Sequence, residues 1–161
     1  MPRVVLAAAF LALIQPTLIA QTKVEIATRL LGYDLRQATG DTSDVTTLPR
    51  IVVKSGSEGM VDVSREYRYP KEFGANGKPS VVRTAHLGIR FPIYVRENNG
   101  VIRYLGRVEL CEREDVNNPL SAVLKTTTSF QGELPLDRPY TVEVGAPRGR
   151  TARLELLMTR H

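Results

Sequence analysis

Side chains able to do chemistry are few in this sequence: His86 and His161 are its only histidines and Cys111 its only cysteine. A metal centre needs three or four convergent ligands, and no pair of His, Cys, Asp or Glu falls at a recognised ligand spacing. No metal or cofactor is therefore expected. His86 reads as a strand-edge residue. Cys111 reads as a buried small hydrophobe, because no histidine or second cysteine stands near it to sustain a thiolate. Glu109, Glu112, Glu114 and Asp115 form the one cluster of carboxylates, but they interleave with Arg107 and Arg113 and read as a solvated strand end. Glycoside hydrolysis would need two of them at a fixed separation, which spacing alone does not supply. Ser55, Ser57 and Ser129 lack the G-x-S-x-G elbow of a hydrolase, and Gly145 and Gly149 form no phosphate cradle. The chain reads as a non-enzyme.

Recognition is a better fit to the residue types present. In Arg65-Glu66-Tyr67-Arg68-Tyr69-Pro70, alternation puts Arg65, Tyr67 and Tyr69 on one strand face and Arg68 on the other. Tyr and Arg anchor protein interfaces because they are large and amphipathic and lose little entropy on ordering. These four residues are the candidate interaction site. An ordinary aromatic cluster covering one end of the core would show the same pattern.

The elements that must position this patch follow from a period of two. Leu87, Ile89, Phe91, Ile93 and Val95 alternate with Gly88, Arg90, Pro92, Tyr94 and Arg96, the mark of a strand with one buried face. Asn98-Asn99-Gly100 breaks the run, and Ile102, Tyr104, Val108 and Leu110 resume it. Asn-Gly tolerates positive φ at both positions, so this is a hairpin. Pro92 cannot donate to a ladder, which predicts an edge strand or a bulge there. Further strands are expected over Val24 to Tyr33, Ile51 to Lys54, Met60 to Tyr69, Val81 to Thr84, Tyr140 to Val144 and Thr151 to Thr159. The first of these would also suit a short helix. Asp34 to Leu48 and Asp115 to Pro119 are polar breaks, the former a long loop. The spacing predicts an all-β domain, an antiparallel two-sheet sandwich of about seven to nine strands.

The first 20 of the 161 residues read as a signal peptide, with Arg3 ahead of the apolar run Val4 to Ile14 and a small residue, Ala20, at the cut. The run is broken by Gln15 and Pro16 and falls short of the ~20 residues that span a bilayer. Residues 21–161 are then a single domain, exported to the periplasm or cell surface, with no transmembrane segment in the mature chain. A lone cysteine closes no internal bridge, so a packed core must hold the domain together. Net charge is +5 with a pI near 9.6. The basic residues are scattered, which argues against nucleic acid and fits an anionic envelope polymer, acidic partners or a solvated exterior. A surface adhesin for an anionic glycan or mucin-like polymer is the alternative reading.

Leu48-Pro49-Arg50-Ile51-Val52-Val53-Lys54-Ser55-Gly56, then Gly59-Met60-Val61-Asp62-Val63 and Tyr69-Pro70, resembles the secretin run of proline, hydrophobic strand, Ser-Gly turn, strand and proline. In the same order, Thr22 to Tyr33 is similar to the opening strand of the secretin core domain. His86-Leu87-Gly88-Ile89 onward resembles its glycine-hydrophobic alternation, and Arg153 to Thr159 its closing strand. A nearer likeness is to short, stand-alone secretin-like proteins associated with type IV pilus genes in verrucomicrobia-type bacteria. The resemblance implies an immunoglobulin-like fold and an accessory or structural role, with pilus or secretion-system proteins as partners. The strands are few and charged on one face, so a lipid-facing barrel wall is not expected of them.

Overall fold

The computed structural model describes residues 22–35, 47–118 and 120–161. The expected signal peptide, residue 21 and most of the polar stretch from Asp34 to Leu48 lie outside the described residues. Within them the chain forms β1 (Lys23–Leu31), β2 (Ile51–Lys54), β3 (Ser57–Phe73), β4 (Pro79–Asn98), β5 (Val101–Arg113), β6 (Val123–Pro135), β7 (Pro139–Ala146) and β8 (Arg150–Arg160). One antiparallel sheet has the order β2-β1-β8-β7 and the other β3-β4-β5-β6. The all-β, two-sheet sandwich is therefore as the alternation predicts.

Alternation decides which side chains meet between the layers. Val24, Ile26 and Leu30 of β1 and Leu154, Leu156 and Met158 of β8 are buried in the shorter sheet. From the longer sheet, Ile89, Phe91, Ile93 and Val95 of β4 and Ile102, Tyr104, Val108 and Leu110 of β5 close on them. The β4–β5 hairpin turns on Asn99 (φ 51°) and Gly100 (φ 81°), the two positive φ values that an Asn-Gly turn supplies at low cost.

Three details differ from the expected strand map. Val81 to Thr84 and Leu87 to Val95 belong to one strand, β4, because no turn residue separates them. The segment from Val123 to Pro135 is a strand, β6, that hydrophobic alternation did not reveal; its half-buried positions include Thr126, Thr128 and Gly132. Pro92 sits in an interior strand, opposite Met60 of β3. Pairing with β5 lapses at Phe91 and Pro92 and resumes at Ile93 opposite Gly106 in the same register, with neither edge nor bulge. The ambiguous first segment is a strand, β1.

A buried carboxylate ties the layers at each end. At one, Glu97 of β4 accepts from Gly100 N at 2.8 Å and from Arg160 Nη2 of β8 at 2.5 Å. At the other, Glu112 of β5 lies between Arg148 Nε at 2.7 Å and Arg150 Nη2 at 2.5 Å. Each carboxylate side chain is only 6% exposed. Arg148 also donates to the carbonyls of Arg113 and Glu114 at 3.1 and 2.5 Å, so the turn before β8 is pinned to the end of β5.

Two outcomes follow. A Cβ at Gly106 would lie 2.6 Å from Phe130 Cζ and 3.0 Å from Phe91 Cε2, inside the stacked pair those rings form. Gly106→Ala is expected to lower stability by about 2 kcal/mol in urea denaturation, as overpacking does. The Gly100 N–H, followed by Arg160, holds the Glu97 carboxyl below the usual carboxylate range. A depressed folded value contributes stability above the unfolded pKa that is lost as pH falls through the folded one. Glu97→Gln should therefore flatten the loss of stability below about pH 4.5, measured by thermal melts across acid pH.

Candidate functional site

Beyond Leu87, β4 has no partner in β5, whose pairing begins at Gly88 opposite Cys111. There Gly88 has a φ of 123°, a conformation that residues with a Cβ rarely adopt. From this point β3 and β4 continue alone as a two-stranded arm, Arg65 opposite Leu87 through Phe73 opposite Pro79. All four candidate residues lie on the arm's β3 strand.

The structure brings two of them together. Tyr67 and Tyr69 stack with ring centroids 6.0 Å apart and planes 9° from parallel. Tyr67 is also tied to the body of the domain: its hydroxyl donates to the Ser121 carbonyl at 2.9 Å, and the Arg113 guanidinium lies 5.8 Å from its ring centre. Tyr69 lines a cavity of about 240 Å³ with Thr84, His86, Arg90, Glu109, Cys111 and Lys125. Arg68 turns to Glu66, Nε to Oε1 at 3.1 Å, in a pair too exposed to contribute much. Arg65 is exposed and has no ion-pair partner among the described residues. The patch is thus half structural, with Tyr67 fixing the base of the arm, and half available.

Of the carboxylate cluster, Glu114 and Asp115 are exposed, as a solvated strand end predicts, whereas Glu109 and Glu112 are not. Glu109 is held by Lys125 at 2.9 Å and Arg107 at 3.4 Å, and the Lys125 hydrogen bond, with both cations near, keeps it below the usual range. Glu112 is the buried latch described above. The Tyr33 ring lies under Arg150, with the cation 5.4 Å from its centre. Burial, then the Glu112 charge, pushes the Tyr33 phenol up. Sequence reasoning missed this cluster because its arginines come from a turn 36 and 38 residues further along the chain.

Neither acid is placed for hydrolysis, since each is already engaged by two cations. His86 is exposed on β4 opposite Glu66. Cys111 is buried, and that burial pushes its thiol up, away from reactivity. Among the described residues no three His, Cys, Asp or Glu side chains gather as metal ligands. The arrangement is a two-sheet sandwich whose β3–β4 hairpin runs on beyond its pairing with β5 and carries aromatic and basic side chains.

No protein-family model and no curated protein matches the sequence. Solved structures do. The InvG secretin domain β-barrel from the Salmonella SPI-1 injectisome aligns with a TM-score of 0.52 at 13% identity, covering 89% of this chain and 64% of that one. A near-atomic cryo-EM structure of the Salmonella SPI-1 type III secretion injectisome secretin InvG aligns with a TM-score of 0.46 at 13% identity, over 88% of this chain and 61% of the other. The chain therefore has a secretin-like fold and spans less than two-thirds of the length of the chains it resembles.

Tyr67→Phe should lower stability by about 1 kcal/mol in urea, the usual net worth of one hydrogen bond. Arg68→Ala, which removes only an exposed pair, should change it by less than ~0.5 kcal/mol.

Proposed function

We propose that this protein is a non-enzymatic component of a cell-envelope secretion or type IV pilus apparatus, acting by binding other proteins. The single observation that carries the reading is the secretin-like fold, matched over 89% of the chain to a secretin domain of an injectisome. An accessory or structural part, exported and held in the periplasm or at the outer membrane, is the form this role takes.

Two surfaces support binding. Both outer strands of the longer sheet, β3 and β6, have a side with no neighbour in the sheet order. A partner strand can add along such an edge through main-chain hydrogen bonds. The second surface is the Tyr69, Arg65 and Arg68 part of the arm. The broad outer face of this sheet is less suited to lipid, for it carries the cross-strand pairs Arg90–Asp62 (3.1 Å), Lys125–Glu109 (2.9 Å) and Arg103–Glu133 (2.5 Å). Met60, Tyr94, Val101 and Leu105 are exposed apolar residues on it, far less than the continuous apolar band of a barrel wall.

The test is affinity capture from an envelope extract of the source cell after cross-linking. Co-recovery of secretion or pilus components is expected, weakened at least tenfold for the arm variant Arg65→Glu/Tyr69→Ala. Recovery of none, with the captured protein folded by circular dichroism, would sink the reading. Retention of an anionic polysaccharide alone would favour the adhesin instead.

A further inference from the structure

The far end of the arm differs from its base. Phe73 is 57% exposed, Val82 56% and Val81 39%, three large apolar side chains within ten residues that no second layer covers. Val81 and Val82 are adjacent in a strand, so they face opposite sides of the ribbon, and both sides of the tip are bare. A scattered apolar residue on a surface means little, but three at the tip of one projecting ribbon form a patch.

Cations surround that patch. The arm from Arg65 to Ala85 carries Arg65, Arg68, Lys71, Lys78 and Arg83 against Glu66 and Glu72. The two acids are taken by Arg68 and Lys71, at 3.1 and 3.6 Å. Arg65, Lys78 and Arg83 have no ion-pair partner among the described residues. The nine residues from Pro79 to Leu87 reach roughly 25–30 Å at the rise of a strand. Lys78 and the bare apolar side chains are thereby held away from the ion-paired body of the sheet, with Arg83 part-way along the arm and Arg65 at its base.

From this we propose that the tip of the β3–β4 arm docks on the surface of an anionic lipid bilayer. Phe73, Val81 and Val82 enter the headgroup region, while Lys78 and Arg83, the unpaired cations nearest the tip, meet lipid phosphates. The combination selects a bilayer over a soluble polyanion, because a polyanion gives exposed phenyl and isopropyl groups nothing to enter. It also limits depth: Lys71, Glu72, Lys78 and Arg83 flank the apolar residues so closely that the tip lies in the interface and does not cross. The Tyr67 bond to the Ser121 carbonyl at 2.9 Å fixes the angle at which the arm leaves the domain.

The chain contains no tryptophan, so Phe73→Trp places a single reporter at the tip. With vesicles of phosphatidylglycerol and phosphatidylcholine, its emission should shift to the blue and be quenched by brominated acyl chains. Pure phosphatidylcholine vesicles should give neither change, and raised salt should weaken the effect. In co-sedimentation of the full chain, Lys78→Glu/Arg83→Glu and, separately, Phe73→Ser/Val82→Ser should each reduce binding to the anionic vesicles at least tenfold. Parent and variants share the apolar residues near the N-terminus, so the comparison isolates the arm. These positions are exposed, and unchanged circular dichroism will confirm that the variants fold. An unshifted emission spectrum of the Phe73→Trp variant on anionic vesicles would overturn the proposal, as would charge or apolar variants that bind like the parent. Failure here leaves the protein-capture result untouched, since that experiment contains no added vesicles.

Discussion

The shape of the molecule depends on a mismatch of length between its two layers. β3 and β4 run for 17 and 20 residues, whereas β1 and β8, the central strands of the facing sheet, run for 9 and 11. A strand face is worth burying only where a second layer meets it, and here that layer runs out partway along the β3–β4 hairpin. On the covered side of β4 every second residue from Leu87 to Val95 is Leu, Ile, Phe or Val and buried. Past Leu87 the same two strands stay paired through their backbones, but exposed residues predominate. A two-stranded ribbon is marginal by itself. The Tyr67–Tyr69 stack and the Tyr67 bond to the Ser121 carbonyl attach the base of this one to the domain.

The second constraint is that the layers hold together without a disulfide. Two carboxylates, Glu97 and Glu112, do part of that work at opposite ends of the sandwich. Taking a carboxylate out of water is costly, and a cation recovers that cost only with well-placed hydrogen bonds. Both sites supply them: Glu97 has a backbone N–H and an arginine, and Glu112 has two arginines. In each case the cation comes from the shorter sheet or its turn, so the bonds specify how the sheets sit on one another. Loss of a single partner would leave an uncompensated buried charge, which makes these positions more sensitive than any exposed pair on the outer face.

What could be read from sequence follows from the same physics. The β4–β5 hairpin was legible because its inward positions are apolar and buried almost without a break, and because Asn99-Gly100 names its own turn. β6 was not legible, since an edge strand half covered by its neighbour can place Thr126 and Thr128 inward at little cost, and a threonine period does not stand out. The two halves of β4 read as separate strands because burial, the signal being read, stops where the covering layer stops, although the backbone pairing continues. Tyr67 and Tyr69 were correctly placed on one face by parity. That Tyr67 is engaged internally depends on a residue 54 positions away, which no local pattern reports. Glu112 was misread for the same reason, as its strand neighbours are charged while its real partners are distant in sequence.

The distribution of charge completes this division between body and arm. On the outer face of the longer sheet, acids and bases stand opposite or diagonal on adjacent strands, as in the Arg90–Asp62 and Lys125–Glu109 pairs. Each pair contributes little stability, yet together they cancel the local field and leave a face with weak long-range attraction. The arm has five cations and two acids, so pairing leaves three charges over. Held on a projecting ribbon, those charges sit where opposing acids diminish them least. An approaching anionic surface therefore meets the arm before it meets the sandwich.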